Sequence, residues 1–320
     1  MLPFSSLVIT ALLGAITSNA APLIQERATG IAADLLSSFK LMEQYASAAY
    51  CSNNYDSTGD QIECSTGNCP LVQDADSTTV IEYSRQETST DVTGFVAVDH
   101  TNKLIVVAFR GSQTIDAWRT NLDFGTTKTD ICPGCTAHSG FWQSWTDARD
   151  NVLPAVKQTS AAFPSYKIAV TGHSLGGAVA TLAAASMRNA GYSVALYNFG
   201  SPRIGGTKTS SYITNQAGGN YRVTHWNDPV PKLPLLTMGY VHISPEYYIN
   251  KPNKQEVSAS DIKIYDGAAN LRGNMAWLIV DIEAHRWYFG SVYTCGAKKS
   301  KRGTLEMRGV EGNMEVVTTF

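Results

Sequence analysis

Several things are scarce in this sequence, and each scarcity narrows its meaning. Beyond the first twenty residues no apolar run is long enough to cross a bilayer. The best candidate, residues 275–282, has eight residues against the ~20 that a spanning helix needs. Neither sign of charge is in excess, because 25 Lys and Arg face 27 Asp and Glu, so the basic footprint of a nucleic-acid binder is missing. No internal repeat, low-complexity tract or linker interrupts the 320 residues, which is the composition of one α/β domain large enough to bury a core. A metal centre is poorly supported, since Cys132-x-x-Cys135 has neither a second CxxC nor paired histidines beside it. No metal and no cofactor are expected.

The N-terminus departs from this average. Residues 7–17 are apolar or small, and Ser18-Asn19-Ala20 fits a small-x-small cleavage site, although no Lys or Arg precedes the run. The expected organisation is a signal peptide over 1–20, a short pro-piece over 21–27 ending at Glu26-Arg27, a folded domain over 28–295 and a polar tail over 296–320. Export makes the six cysteines, an even number, readable as three disulfides. Proximity pairs Cys64 with Cys69 and Cys132 with Cys135, which leaves Cys51 with Cys295; fifteen connectivities remain formally open.

Along the chain, residues 32–50 carry Leu35, Leu36, Phe39, Met42, Tyr45, Ala46 and Ala49 at helical spacing. Strands are expected over 79–84, 94–99 and 104–109, the last two forming a hairpin through His100-Thr101-Asn102, where His100 reads as a solvated turn residue. Residues 139–162 read as a long helix with Phe141, Trp142, Trp145, Val152, Leu153 and Val156 inward. Further strands are expected over 166–170, 193–199, 221–225, 240–243 and 246–249, with 250–272 as polar loop. Alternating strands and helices imply a parallel or mixed central sheet. After Phe109, Ile115, Trp118 and Leu122 recur at i, i+3 and i+7 on a short amphipathic segment, which suits either an ordinary surface helix or a movable cover over a cleft.

The chemistry centres on Gly172-His173-Ser174-Leu175-Gly176, placed between an apolar strand and an Ala-rich helix over 177–188. A G-x-S-x-G turn in that setting is a nucleophile elbow, in which the serine projects into a cleft and the next residue's amide, here Leu175, can meet a developing oxyanion. The nucleophile needs a base and the base an orienting acid, in the chain order Ser, Asp or Glu, His on such folds. His100 and His138 precede Ser174, and His173 is turned away by the elbow; His225 and His242 are possible, while His285 falls last, where the order places a base. Asp228 directly follows a strand end and is stiffened by Pro229 and Pro231, which favours it over Asp261, Asp266 and Asp281 as the acid.

Five segments then occur in order: Val107-Ala108-Phe109-Arg110-Gly111-Ser112, Thr171-Gly172-His173-Ser174-Leu175-Gly176-Gly177-Ala178, Gly200-Ser201-Pro202-Arg203, Asn227-Asp228-Pro229-Val230-Pro231, and Ala284-His285-Arg286-Trp287-Tyr288-Phe289. With them the sequence resembles the secreted fungal class 3 triacylglycerol lipases, the group of the Thermomyces and Rhizomucor enzymes, over residues 32–295. The resemblance implies an α/β-hydrolase fold: a mostly parallel, mixed central sheet with helices on both faces and an amphipathic lid helix. It implies the triad Ser174, Asp228 and His285, an oxyanion hole from Ser112 and Leu175, and Ile115, Trp118 and Leu122 on the lid. It matches the three disulfides paired above. Secretion, an acylglycerol substrate met at a lipid–water interface, and no nucleic-acid or stable protein partner complete the expectation. The tail beyond Cys295 and the lid's own sequence depart from the pattern. Two rivals stand beside this reading: a feruloyl or other aryl esterase on the same scaffold, and a non-catalytic lipid-binding relative.

Overall fold

The computed structural model describes residues 30–83, 90, 92–113 and 124–296. The expected signal peptide (1–20), pro-piece (21–27) and tail past Gly296 lie outside these residues, as do Ile115, Trp118 and Leu122.

Helix α1 (Ala33–Ala48) opens the described chain, followed by the single turn α2 (Pro70–Gln73) and by strands β1 (Ser77–Tyr83), β2 (Gly94–Asp99) and β3 (Leu104–Phe109). Short β4 (Thr126–Lys128) and β5 (Thr136–His138) pair antiparallel and lead into helix α3 (Ser139–Ala162). Then β6 (Lys167–His173) alternates with α4 (Leu175–Asn189), β7 (Val194–Phe199), α5 (Thr207–Asn215) and β8 (Asn220–His225). The chain closes with β9 (Glu246–Ile249), β10 (Ile262–Tyr265) and the one-turn helix α6 (Ile282–His285).

Eight strands form one sheet in the order β1-β2-β3-β6-β7-β8-β9-β10. β3, β6, β7, β8 and β9 run parallel, and the antiparallel pairs lie at the two ends. Because successive side chains in a strand point to opposite faces, β3 sends Ile105, Val107 and Phe109 to one core and Val106 and Ala108 to the other. The first core holds Trp145, Val152 and Val156 of α3 with Leu182 and Met187 of α4; the second holds Phe39, Met42 and Tyr45 of α1. Covering both faces in this way explains why the central strands read as unbroken apolar runs rather than alternating ones. Disulfides join Cys51 to Cys295, Cys64 to Cys69 and Cys132 to Cys135.

The structure corrects four local expectations. Residues 240–243 form no strand; only Val241 bridges, to Gly205, because His242 turns its amide to the Ala268 carbonyl and its Nε2 to that of Pro231. The stretch 250–272, read as loop, contains β10, a four-residue edge strand too short to carry a pattern. Helix α5 is unanticipated, since Ile213 is its one buried apolar side chain. His100 is a packed residue, not a solvated one: Nδ1 meets the Tyr166 hydroxyl at 2.9 Å and the ring lies edge-on to Phe163.

Candidate active site

The turn from β6 into α4 places Ser174 at φ 58° and ψ −128°, a conformation a non-glycine side chain adopts only when its surroundings impose it. Those surroundings are specific. The Ser174 amide donates to the Phe199 carbonyl at 2.9 Å, and its own carbonyl accepts from the Gly177 and Ala178 amides at 3.0 and 3.3 Å. The flanking glycines are required by contact. A Cβ on residue 172 would lie 2.3 Å from the Gly176 carbonyl oxygen, and one on residue 176 would lie 2.1 Å from that of Phe109. Strand β3 and helix α4 thus touch backbone to backbone at the elbow, and α4 starts two residues earlier than the sequence pattern predicted.

Asp228 lies three residues beyond β8, on a turn in which Trp226 takes φ 38° and the Asp228 amide returns to the His225 carbonyl at 3.0 Å. Its carboxylate is fully buried and accepts three hydrogen bonds: Oδ1 from the Val230 amide at 2.8 Å, Oδ2 from His285 Nδ1 at 2.8 Å and from the Tyr288 hydroxyl at 2.7 Å. His285 ends α6, whose start is capped by Asp281 Oδ1 accepting the Glu283 amide at 2.9 Å. Since the carboxylate oxygen can only accept, Nδ1 carries the proton and Nε2 presents its lone pair. Among the described residues neither His285 Nε2 nor Ser174 Oγ has a hydrogen-bond partner, though both are buried. A candidate base and a candidate nucleophile left unpaired in one interior suit a pair that closes when substrate arrives.

A second histidine lies beneath the first. The rings of His173 and His285 are 4.4 Å apart, His173 Nε2 lies 2.8 Å from the His285 carbonyl and His173 Nδ1 lies 2.8 Å from the Tyr50 hydroxyl. The carbonyl can only accept, so Nε2 holds the proton. Burial, and then the neighbouring His285, push the His173 pKa well below the usual histidine range, so the ring is neutral and Nδ1 accepts from Tyr50. His173 therefore fixes the main chain of His285 and is not a rival base. Gly200 closes the other side: a Cβ there would lie 2.9 Å from His285 Nδ1 and Cε1.

Gly111 sets the end of β3 against this centre, since a Cβ on it would fall 3.0 Å from Ser174 Cβ and 2.0 Å from the Tyr50 hydroxyl oxygen. Ser112 follows directly, and Leu175 is the first residue of α4, where the leading amides of a helix lack partners within it.

The structure brings Ser174, Asp228, His285, Ser112 and Leu175 to one end of the parallel strands and engages the rival residues in other contacts. Asp261 caps a turn through Ser258 and pairs with Lys251 at 3.1 Å; Asp281 caps α6; Asp266 follows edge strand β10. His225 is held between the Ala284 and Lys251 carbonyls, both at 2.8 Å, and His138 caps α3. Two contributors were missed. Tyr288 shares Asp228, and its place in the segment after His285 was the available signal. Asn274 donates to the Asp228 and Trp226 carbonyls at 2.9 and 3.1 Å and gave no signal, standing alone in a loop.

Residues 106–238 match the family described as class 3 lipase, and residues 8–81 match the class 3 lipase N-terminal region. A secreted mono- and diacylglycerol lipase A of Penicillium cyclopium is 48% identical over 262 residues, covering 80% of this chain and 85% of that protein. A secreted mono- and diacylglycerol lipase 1 of Fusarium solani is 42% identical over 273 residues, 85% and 81% of the two chains. Among solved structures, a mono- and diacylglycerol lipase from Aspergillus oryzae superposes with a TM-score of 0.78 at 46% identity, covering 81% of this chain and 98% of that one.

Proposed function

The chain belongs to the class 3 lipases, and we propose that within them it is a secreted hydrolase of acylglycerol esters, working through Ser174, His285 and Asp228 and preferring mono- and diacylglycerols. One observation carries the catalytic assignment: the buried 2.8 Å contact from His285 Nδ1 to Asp228 Oδ2, alongside a serine held at positive φ on a strand-to-helix turn. The substrate assignment follows the two secreted relatives, which are named for mono- and diacylglycerols.

The chemistry follows from the arrangement. His285 Nε2 takes the proton of Ser174 Oγ as the oxygen attacks the ester carbonyl, and Asp228 steadies the imidazolium through Nδ1. The tetrahedral oxyanion falls to the Leu175 amide and to the amide and hydroxyl of Ser112; one such donor contributes roughly 3 kcal/mol to the transition state. His285 returns the proton to the departing glycerol oxygen, and water, activated by the same histidine, releases the fatty acid from Ser174.

Initial rates on emulsified monoolein, diolein and triolein, and on dissolved methyl ferulate, test this reading. The glycerides should be hydrolysed, the mono- and diester fastest, and Ser174→Ala should abolish turnover while leaving the unfolding transition in place. Activity confined to methyl ferulate would replace a lipase with an aryl esterase, and an active S174A would remove the nucleophile assignment. A native protein inert on all four would return the non-catalytic reading.

A further inference from the structure

We propose that Tyr293 is a positioning residue for the oxyanion hole: through its hydroxyl it fixes the main chain on the far side of Ser112. The inference rests on the reading of Ser112 as an oxyanion donor.

Ser112 lies between two tyrosine hydroxyls. On one side the Tyr50 hydroxyl packs directly against Gly111, where a Cβ would lie 2.0 Å from its oxygen. On the other the Tyr293 hydroxyl donates to the carbonyl of Gln113. The two rings pack edge to face, 5.2 Å apart and at 83°, so the two anchors form one unit. That unit is itself held. Gly296 packs against both rings, since a Cβ there would lie 2.6 Å from Tyr293 Cε2 and 2.8 Å from Tyr50 Cδ1, and its amide donates to the Tyr293 carbonyl at 3.0 Å. The Arg286 guanidinium stands 5.6 Å from the centre of the Tyr293 ring, and the disulfide between Cys51 and Cys295 joins the residue after Tyr50 to the residue two beyond Tyr293.

Nothing in the proposed reaction touches Tyr293, so this brace has no use as a catalytic group. It has a use in geometry. An oxyanion donor works only when held within about 0.5 Å of the position where charge develops. The Ser112 amide and hydroxyl belong to the short piece of chain leaving β3, past the bond of the Arg110 amide to the Thr93 carbonyl at 2.8 Å. Packing of Tyr50 against Gly111 and the bond to the Gln113 carbonyl limit rotation of the backbone on both sides of Ser112. Removing the Tyr293 hydroxyl frees one side.

Tyr293→Phe keeps the ring against Tyr50 and deletes only the hydroxyl. Its kcat and KM on dissolved p-nitrophenyl butyrate should be measured with its inhibition by butylboronic acid, whose serine adduct is tetrahedral, and with its thermal unfolding. Two comparisons belong beside it. Ser112→Ala tests the oxyanion reading alone and should cost at least tenfold in kcat. Tyr240→Phe removes a hydroxyl that donates to the Phe124 carbonyl at 2.8 Å, at the other end of the stretch 114–123 and away from Ser112. We expect Y293F to lower kcat five- to twentyfold, leave KM within twofold, weaken the boronate by the same factor as kcat, and unfold at nearly the native temperature; Y240F should keep native kcat. The proposal is overturned if Y293F keeps its kcat while S112A loses activity, if only KM moves, or if Y240F is impaired as much as Y293F. A native-like S112A would instead remove the oxyanion reading on which the proposal stands.

Discussion

Asp228 Oδ2 serves two donors at once, His285 Nδ1 and the Tyr288 hydroxyl, and the division matters because a buried carboxylate is stabilised by each hydrogen bond it accepts. Tyr288→Phe leaves the ring and removes one bond, so the carboxylate gains freedom to turn and the imidazolium of the transition state is steadied less well. We expect kcat/KM to fall about tenfold, equivalent to ~1.4 kcal/mol, with KM little changed; steady-state kinetics on p-nitrophenyl butyrate would check it, and a native kcat would reduce Tyr288 to packing. At this scale the sequence was legible where a residue sits in a local pattern. Ser174 stands in its G-x-S-x-G turn, Asp228 after a strand end and His285 last in order. It was faint or silent where the role comes from a distant partner. Tyr288 meets Asp228 across 60 residues, His173 meets the His285 carbonyl across 112, and Asn274 meets the Asp228 carbonyl across 46. Spacing along a chain carries no trace of such meetings.

Among the elements, the elbow tolerates least change. Helix α4 enters so close to β3 that the Gly176 α-carbon leaves no room for a methyl group beside the Phe109 carbonyl. Gly176→Ala must push helix and strand apart and disturb the Ser174 turn, and backbone has little freedom to yield. A loss of about 3 kcal/mol or more in denaturant unfolding is expected, with ester hydrolysis lost in step; a variant within 1 kcal/mol of native would mean that the helix shifts easily. The loop before α6 is a different case. Leu278, Ile279 and Val280 are exposed, the first at 98%, yet the loop is tied down on both sides by the Asn274 amide group at Asp228 and by the Asp281 amide at the Asn227 carbonyl, 3.2 Å away. The sequence read this run as merely apolar, because composition does not say which apolar residues stay outside. The central strands and the three long helices were legible from apolar runs and helical spacing. Strand β10 and helix α5 were not, being held by sheet pairing and by Thr209 and Ser210 rather than by a core-facing stripe.

Across the whole molecule, the join between its first and last elements is sensitive to pH. Glu43 of α1 is buried beside Gly290, and its Oε1 has no partner among the described residues. Burial pushes its pKa up from 4.5 to about 8. The folded chain thus keeps this proton up to about pH 8, whereas the unfolded chain releases it near 4.5, so stability falls as pH rises through that window. His173, held neutral, adds the opposite slope below about pH 6.5. Glu43→Gln removes the first slope and keeps the second. Its unfolding temperature should match the native protein near pH 4, below the unfolded pKa, and exceed it increasingly up to pH 8, and an equal difference at both pH values would place the ionisation elsewhere. The disulfide between Cys51 and Cys295 spans 244 residues of separation, and in the chain-entropy account so long a loop is worth on the order of 5 kcal/mol. It has another consequence. Ser174, Asp228 and His285 all lie inside one covalent ring, so a protease that cuts the chain once between Cys51 and Cys295 opens the ring without dividing the molecule. In a medium rich in such enzymes, damage that would scatter a linear chain leaves the three residues on a single piece.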